Sequence, residues 1–291
     1  MSRKLVQLGK STLLVSIPSV FAKNFGLKKG NEVDVVADES SLIVRAKGMS
    51  DKRGVVDVSN LNYSLAWYCI TGAYVAGFSG FRINFSSHIF HNRKNVSLPA
   101  IEVVSEIVSF LPGVELLEQG RSFCVVKEVS IPKEEDIEGI VSRVWNVLIV
   151  LSEGLMEPVV RRRLQVYEEQ INHLVLYSLR VIARVGLSSR LQSLCLFAIL
   201  SRLEEVADSF QVISGQLFNE QFVSGLNRFI VKSRAYFYSC KQEDFVACWK
   251  LRHQLKSSFG RTSAFFIVSR LLDNVMDALH MRLVYVKHNS G

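Results

Sequence analysis

Cysteine is sparse and unpaired in this sequence: Cys69, Cys124, Cys195, Cys240 and Cys248 stand singly, with no Cys-x-x-Cys spacing. An odd number without paired spacing argues against a disulfide framework, and Cys240, Cys248 and His253 lack the spacing of a zinc site. The expectation is five buried, reduced thiols in a cytoplasmic protein. Only five prolines occur in 291 residues, and a hydrophobic share of 48% against 21% charged excludes a disordered chain. The charged start has no apolar leader segment, so no signal peptide is expected. Phosphate-binding glycine loops, dinucleotide fingerprints and nucleophile elbows are also missing, and the chain reads as a non-enzyme. His88 and His91 stand three apart without an acidic or thiol partner nearby.

Acidic residues are missing altogether before Glu32, and this absence is the first informative one. Residues 1–31 hold six cations, Arg3, Lys4, Lys10, Lys23, Lys28 and Lys29, whereas residues 49–130 hold seven basic and seven acidic side chains. A basic N-terminal unit on a balanced body implies either a solubilising surface or an anionic partner, with nucleic acid the obvious class. Charge of either sign is also missing from Val58 to Phe81, a stretch long enough to span a bilayer. It contains Ser59, Asn60, Asn62, Ser64, Thr71, Ser79 and three glycines and has no basic stop-transfer flank, so it reads as a buried helix running into a strand. The protein is therefore expected not to be membrane-embedded.

What is present falls into three parts: 1–48, 49–131 and 132–291. In the first, Lys4–Leu8 alternates, Gly9-Lys10-Ser11 turns, and Thr12–Ile17 is β-rich up to Pro18. Ser19 is a candidate cap for a short helix over Val20–Phe25, with Gly26 at its end. Glu32–Ala37 and Ser41–Ala46 make a hairpin around Asp38-Glu39-Ser40. A unit this small buries too little to stand comfortably alone, so a second copy is expected to complete it.

The second part reads as a small α+β unit. Leu61–Val75 is helical and Phe81–Phe85 a strand. Ile101–Leu111 is a helix with Ile101, Val104, Ile107, Val108 and Leu111 on one face, and Glu115–Glu118 and Ser122–Val129 are strands. The third part is helical. Pro132 and the acids Glu134, Glu135, Asp136 and Glu138 suit a helix start. Periodic segments follow over 133–155, 158–185, 188–215, 219–239, 242–259 and 261–287, which implies antiparallel bundles. Leu203–Asp208 is echoed 69 residues on by Leu272–Asp277, each preceded by a Ser-Arg pair, as expected of two three-helix repeats. Each copy carries carboxylates at i and i+4, Glu204 with Asp208 and Asp273 with Asp277, which suits either a solvated acidic face or oxygen ligands for a metal.

Two resemblances rest on these residues. Arg3-Lys4, Gln7, Gly9-Lys10-Ser11-Thr12, Val15-Ser16-Ile17-Pro18 and Leu27-Lys28-Lys29-Gly30-Asn31-Glu32-Val33 follow each other as in the AbrB/MazE/SpoVT-type DNA-binding module. The resemblance implies a swapped-hairpin β head, a homodimer through it, and double-stranded DNA as the partner. Arg3, Lys4 and Lys10 would then meet phosphate or guanine, Gln7 an adenine edge, and Ser11 and Thr12 phosphate. The repeated Leu203–Asp208 and Leu272–Asp277 segments resemble the repeat of PhoU, the phosphate-uptake regulator. That implies a divalent or ferric ion at Glu204, Asp208, Asp273 and Asp277, and a phosphate-transporter or sensor protein as a further partner. Ser209 and Ala278 stand where the family pattern has His, and Asn172 where it has Asp. The combination, with Ala73–Phe78 and Gly113–Glu118 between, resembles a group of archaeal regulators. It implies a multi-domain DNA-binding transcriptional regulator linked to phosphate uptake, or alternatively a signalling adaptor whose head serves only to dimerise.

Overall fold

The computed structural model describes residues 2–38, 41–46, 52–86, 89–91, 97–131, 133, 136–187, 189–214, 218–258 and 263–287. The chain divides into two compact units, Met1–Lys52 and Arg53–Gly291. The first is a small β region. The second combines a four-stranded mixed sheet with a mostly helical C-terminal region.

In the first unit, β1 (Val6–Leu8) and β2 (Thr12–Leu14) form a hairpin pairing Val6 with Leu14 and Leu8 with Thr12. The helix α1 (Ser19–Asn24) follows. Its boundary residue is Pro18, whose extended backbone (φ −58°, ψ 134°) precedes the first helical turn. The expected cap Ser19 is the first helical residue, and no side chain caps this helix. Gly26 ends it at φ +61°, a conformation cheap for glycine, and the Leu27 N–H closes back onto the Ala22 carbonyl at 2.8 Å. The strands β3 (Val33–Asp38) and β4 (Ser41–Ala46) pair antiparallel; Glu39 and Ser40 of the expected turn lie outside the described residues.

The second unit opens with β5 (Arg53–Asp57), a strand without a strong sequence signal. The helix α2 (Tyr63–Val75) is capped by Asn62, whose side chain accepts from the Leu65 N–H at 2.9 Å. It carries the chain over to β6 (Gly80–Asn84), which runs parallel to β5. The uncharged stretch from Val58 is thus a helix leading into a strand, but the helix is buried on one face only, with Leu65, Tyr68 and Cys69 exposed on the other; among the described residues no helix is long and apolar enough to cross a membrane. A short pair, β7 (Ile89–His91) and β8 (Ser97–Pro99), precedes α3 (Ala100–Ser109). His88 lies outside the described residues. The strands β9 (Val114–Gln119) and β10 (Phe123–Glu128) complete the sheet in the order β5-β6-β10-β9. Val104, Ile107 and Val108 of α3 and Leu111 just beyond it pack with Ile70 and Tyr74 of α2 against Phe81, Ile83 and Val126 of the sheet.

Six long helices follow: α4 (Asp136–Glu153), α5 (Pro158–Arg184), α6 (Arg190–Ile213), α7 (Glu220–Ser239), α8 (Gln242–Ser257) and α9 (Ser263–Lys287). A 3-10 turn over Gly154–Met156 and Pro158 in the first turn of α5 separate the first two. Ser189 and Gln192 form a reciprocal capping box on α6, and Asn219 caps α7. Pro132, Glu134 and Glu135, expected at the start of α4, lie outside the described residues, as do Gly215 and Gly260. The pairs α6 with α9 and α4 with α7 close a core containing Trp145, Leu200, Phe210, Phe229 and Leu279, all fully buried. Each such side chain taken from water contributes about 1.5–3 kcal/mol.

A buried ion cluster joins the sheet layer to the helices. Arg180 of α5 is 1% exposed. Its Nη1 donates to the Tyr74 carbonyl at 2.8 Å, and its Nη2 donates to the Phe78 carbonyl at 2.8 Å and to Glu128 Oε1 at 2.7 Å. One turn on, Arg184 Nη2 donates to Glu128 Oε2 at 2.7 Å. Gly77, at φ +78°, leaves room for this: a Cβ there would stand 3.1 Å from the Arg184 side chain. Three of the five cysteines, Cys124, Cys195 and Cys248, are buried; Cys69 on the outer side of α2 is exposed and Cys240 half-buried, which corrects the expectation of five buried thiols.

Removing the carboxylate of this cluster would leave two buried guanidinium groups uncompensated. Glu128→Ala therefore lowers the unfolding free energy by about 3–5 kcal/mol in urea titrations. A loss below about 1 kcal/mol would mean that the cluster behaves as a surface pair.

Candidate functional site

The first unit is open. Over residues 2–35 none is buried, and Leu5, Val6, Leu8, Leu13, Leu14, Val15 and Ile17 are all exposed apolar side chains. A two-stranded ribbon normally hides one face by alternation, but here successive positions on both strands face solvent. Arg3, Lys4, Gln7, Lys10, Ser11 and Thr12 share this hairpin and its approach and are exposed, so the sequence-derived set is brought together within one short segment. Gln7 sits opposite Leu13 in the ladder, and its side chain is exposed rather than turned inward.

The four candidate metal carboxylates are arranged differently from one donor set. Glu204 and Asp208 of α6 line a cavity of about 340 Å³ together with Glu168 and Asn172 of α5 and Ser64, Trp67 and Tyr68 of α2. Glu168 is 9% exposed, and the Asn172 amide donates to its Oε1 at 3.1 Å while Asn172 Oδ1 is buried without a partner. Asn172, at the position where the resembled pattern has an acid, thus serves as a donor to a neighbouring carboxylate. Burial, reinforced by the negative charges of Asp208, Glu205 and Glu168, pushes the Glu204 carboxyl up to about 7.

Asp273 does not line this cavity. Arg252 Nε and Lys256 Nζ of α8 donate to it at 2.7 Å, and a further Arg252 N–H reaches the same carboxylate. Burial alone would raise its pKa, but these donors and their charges outweigh burial and hold it below the ordinary carboxylate value. Asp277 is exposed, 3.8 Å from Arg202, which also contacts Glu205 and Asn274. Two of the four residues are therefore ion-paired within the protein. Among the described residues, no group of three or more His, Cys, Asp or Glu side chains is placed to hold a metal ion. Glu204 and Asp208 therefore do not share one donor set with Asp273 and Asp277.

Reading the sequence alone did not single out Trp67, Tyr68, Arg252 or Lys256. The i, i+4 spacing of Arg252 and Lys256 on one helix was visible; what they face was not. The chain has no significant match among models of protein families, curated proteins or solved structures.

Glu204 binds its proton more tightly in the folded chain than in the unfolded one, so the folded state carries the extra proton between the ordinary value of 4.5 and about 7. Stability from this group is fully present below pH 4.5 and is lost as pH rises through 7. Glu204→Gln accordingly raises the melting temperature by roughly 2–4 °C at pH 8, and the gap closes towards pH 4.5. A wild-type chain melting at least as high as the variant at pH 8 would show that ionised Glu204 costs the fold nothing.

Proposed function

We propose that this chain is a cytoplasmic, DNA-binding transcriptional regulator. In this reading it acts as a homodimer through residues 1–48, and its helical region senses a state linked to phosphate uptake or a related transport response. The observation that carries the reading is the open hairpin. Six polar and basic side chains stand on a segment with no acid before Glu32 and no described residue buried. A second copy interleaved with the first would cover Leu5, Val6, Leu8, Leu13 and Leu14, each contributing about 1.5–3 kcal/mol if fully buried. It would also double the cationic surface, from six to twelve charges before Glu32, and place two equivalent faces for two half-sites of a duplex.

Chemistry then divides the labour. Lys4 and Lys10 neutralise phosphates and release counterions, Ser11 and Thr12 donate to phosphate oxygens, and Arg3 and Gln7 have the donors for base edges. The resemblance of the helical repeats to PhoU supports the link to phosphate supply and a transporter or sensor protein as a further partner.

Duplex affinity of the full chain, selected from a random DNA pool and measured against salt, tests the reading. Replacing Arg3, Lys4 and Lys10 together by Ala makes the plot of log affinity against log salt shallower by about four units per dimer, from the two phosphate-neutralising lysines of each chain, and weakens binding at least about tenfold at 0.1 M salt. Unchanged affinity and slope in the triple variant sink the proposal. A dimer that binds no duplex but captures a transporter's cytoplasmic subunit points instead to a signalling adaptor.

A further inference from the structure

The mixed sheet has two edges, and they differ in character. Among the described residues β9 pairs only with β10 and β5 only with β6, so each has a ladder on one side. An uncovered edge presents a row of backbone donors and acceptors to any strand that arrives, and proteins blunt such edges with charge and with bulges. The strand β9 is blunted in both ways. Its register with β10 shifts between Val125 and Val126, and it carries Glu115 and Glu118 and no cation. Two copies of β9 laid together would gather carboxylates of one sign into one ladder.

The strand β5 is built the other way. It runs Arg-Gly-Val-Val-Asp, with a cation at one end, an anion at the other and Val55 in the middle. The Val58 N–H donates to the Asn84 carbonyl of β6 at 2.8 Å, and alternation along the strand then directs the backbone groups of Asp57 and Val55 to the open side. Antiparallel pairing of two such strands about Val55 sets Val55 opposite Val55 and each Arg53 opposite an Asp57, so no like charges meet. Val55 is 66% exposed, an apolar side chain in the middle of an edge.

The helix packed on this edge lacks cover in the same way. A surface helix carries charge on its outer face, yet α2 carries none anywhere. Its flank with Tyr63 and Trp67 meets Glu106 and Phe110 beside α3. Leu65 and Cys69 lie on the opposite flank and are exposed. Neighbouring strands lie about 4.8 Å apart, so a helix over β5 and β6 would stand about 10 Å from its counterpart over the same strands of a second copy, the distance at which helices pack. We propose that two copies of this chain join through β5 and α2. The two β5 strands pair antiparallel about a two-fold axis at Val55, so the two sheets become one. The two α2 helices then lie side by side on one face of it, Leu65 and Cys69 of each against the other. This contact is separate from the head and stands whether or not the head binds DNA.

The test is cross-linking of the full chain with a short bis-maleimide, in a Cys69→Ser background that removes the exposed native thiol. Residues facing each other across the axis have Cα atoms about 5.5 Å apart, so Val55→Cys gives a covalent dimer with at least about tenfold higher yield than Leu117→Cys. Leu117 is similarly exposed, at 54%, but stands on the β9 edge. Adding Asp57→Arg sets like charges opposite each other and lowers the Val55→Cys yield at least about threefold. Adding Leu65→Glu, which leaves the strand intact and places a carboxylate on the α2 flank of each copy, lowers it as well. A Val55→Cys yield no higher than that of Leu117→Cys overturns the proposal, and so does a yield unmoved by Asp57→Arg or by Leu65→Glu. Two copies held by the head alone would cross-link equally at both cysteine positions, so a head dimer is not mistaken for this contact. If Asp57→Arg or Leu65→Glu fails to fold, the comparison of Val55→Cys with Leu117→Cys, both at exposed positions, still decides.

Discussion

The arginine–glutamate cluster of Arg180, Arg184 and Glu128 is the constraint on which the second unit depends. Two guanidinium groups and one carboxylate are almost wholly removed from water; Arg180 donates to the Tyr74 and Phe78 carbonyls and to Glu128, Arg184 donates to Glu128, and Arg180 Nε is left without a partner. Glu128 ends the strand β10, the Tyr74 and Phe78 carbonyls lie at the C-terminal end of α2, and both arginines belong to α5. The cluster therefore sets the position of the first long helix against the sheet. A shift of α5 by one residue would turn Arg180 away from all three acceptors, so the cluster specifies register as well as closeness. The helices packed on α5 inherit that register, and so does the cavity it walls.

The first unit has the opposite economy. A few short strands and a six-residue helix do not enclose a core: Phe21, Phe25, Leu27 and Ile43 are half-buried, and the apolar side chains of the β1–β2 hairpin stand in solvent. The strand β5 opens the second unit and belongs to the sheet that Glu128 ties to α5.

The carboxylates of the helical region show how one sequence motif acquires two meanings. The i, i+4 pairs at Glu204/Asp208 and Asp273/Asp277 read alike along the chain. Their neighbours come from other helices. Lys256 and Arg252 hold Asp273 ionised, whereas burial and the acidic neighbours Asp208, Glu205 and Glu168 raise the proton affinity of Glu204. The same chemical group is thus a closed internal ion pair in one place and a polar cavity wall in the other.

Most of the secondary structure was legible in the sequence, because hydrophobic periodicity reports which side of an element is dry. The six long helices fall within a few residues of the apolar repeats, and the Asn62, Ser189 and Asn219 caps sit where hydrogen-bonding side chains precede those repeats. The short β5 was not legible: its five residues include Arg53, Gly54 and Asp57, and only pairing with β6 makes them a strand. Grouping of the basic residues before Glu32 was likewise decided by the sequence, since neighbours along a hairpin remain neighbours in space. Only the tertiary structure decided that Arg180 is buried on a carboxylate 52 residues away, and that Glu168 and Trp67 share a cavity with Glu204 while Asp273 does not. Periodicity shows that a position faces inward, but what it meets there is set by the packing of elements distant in the chain, and that meeting determines its charge.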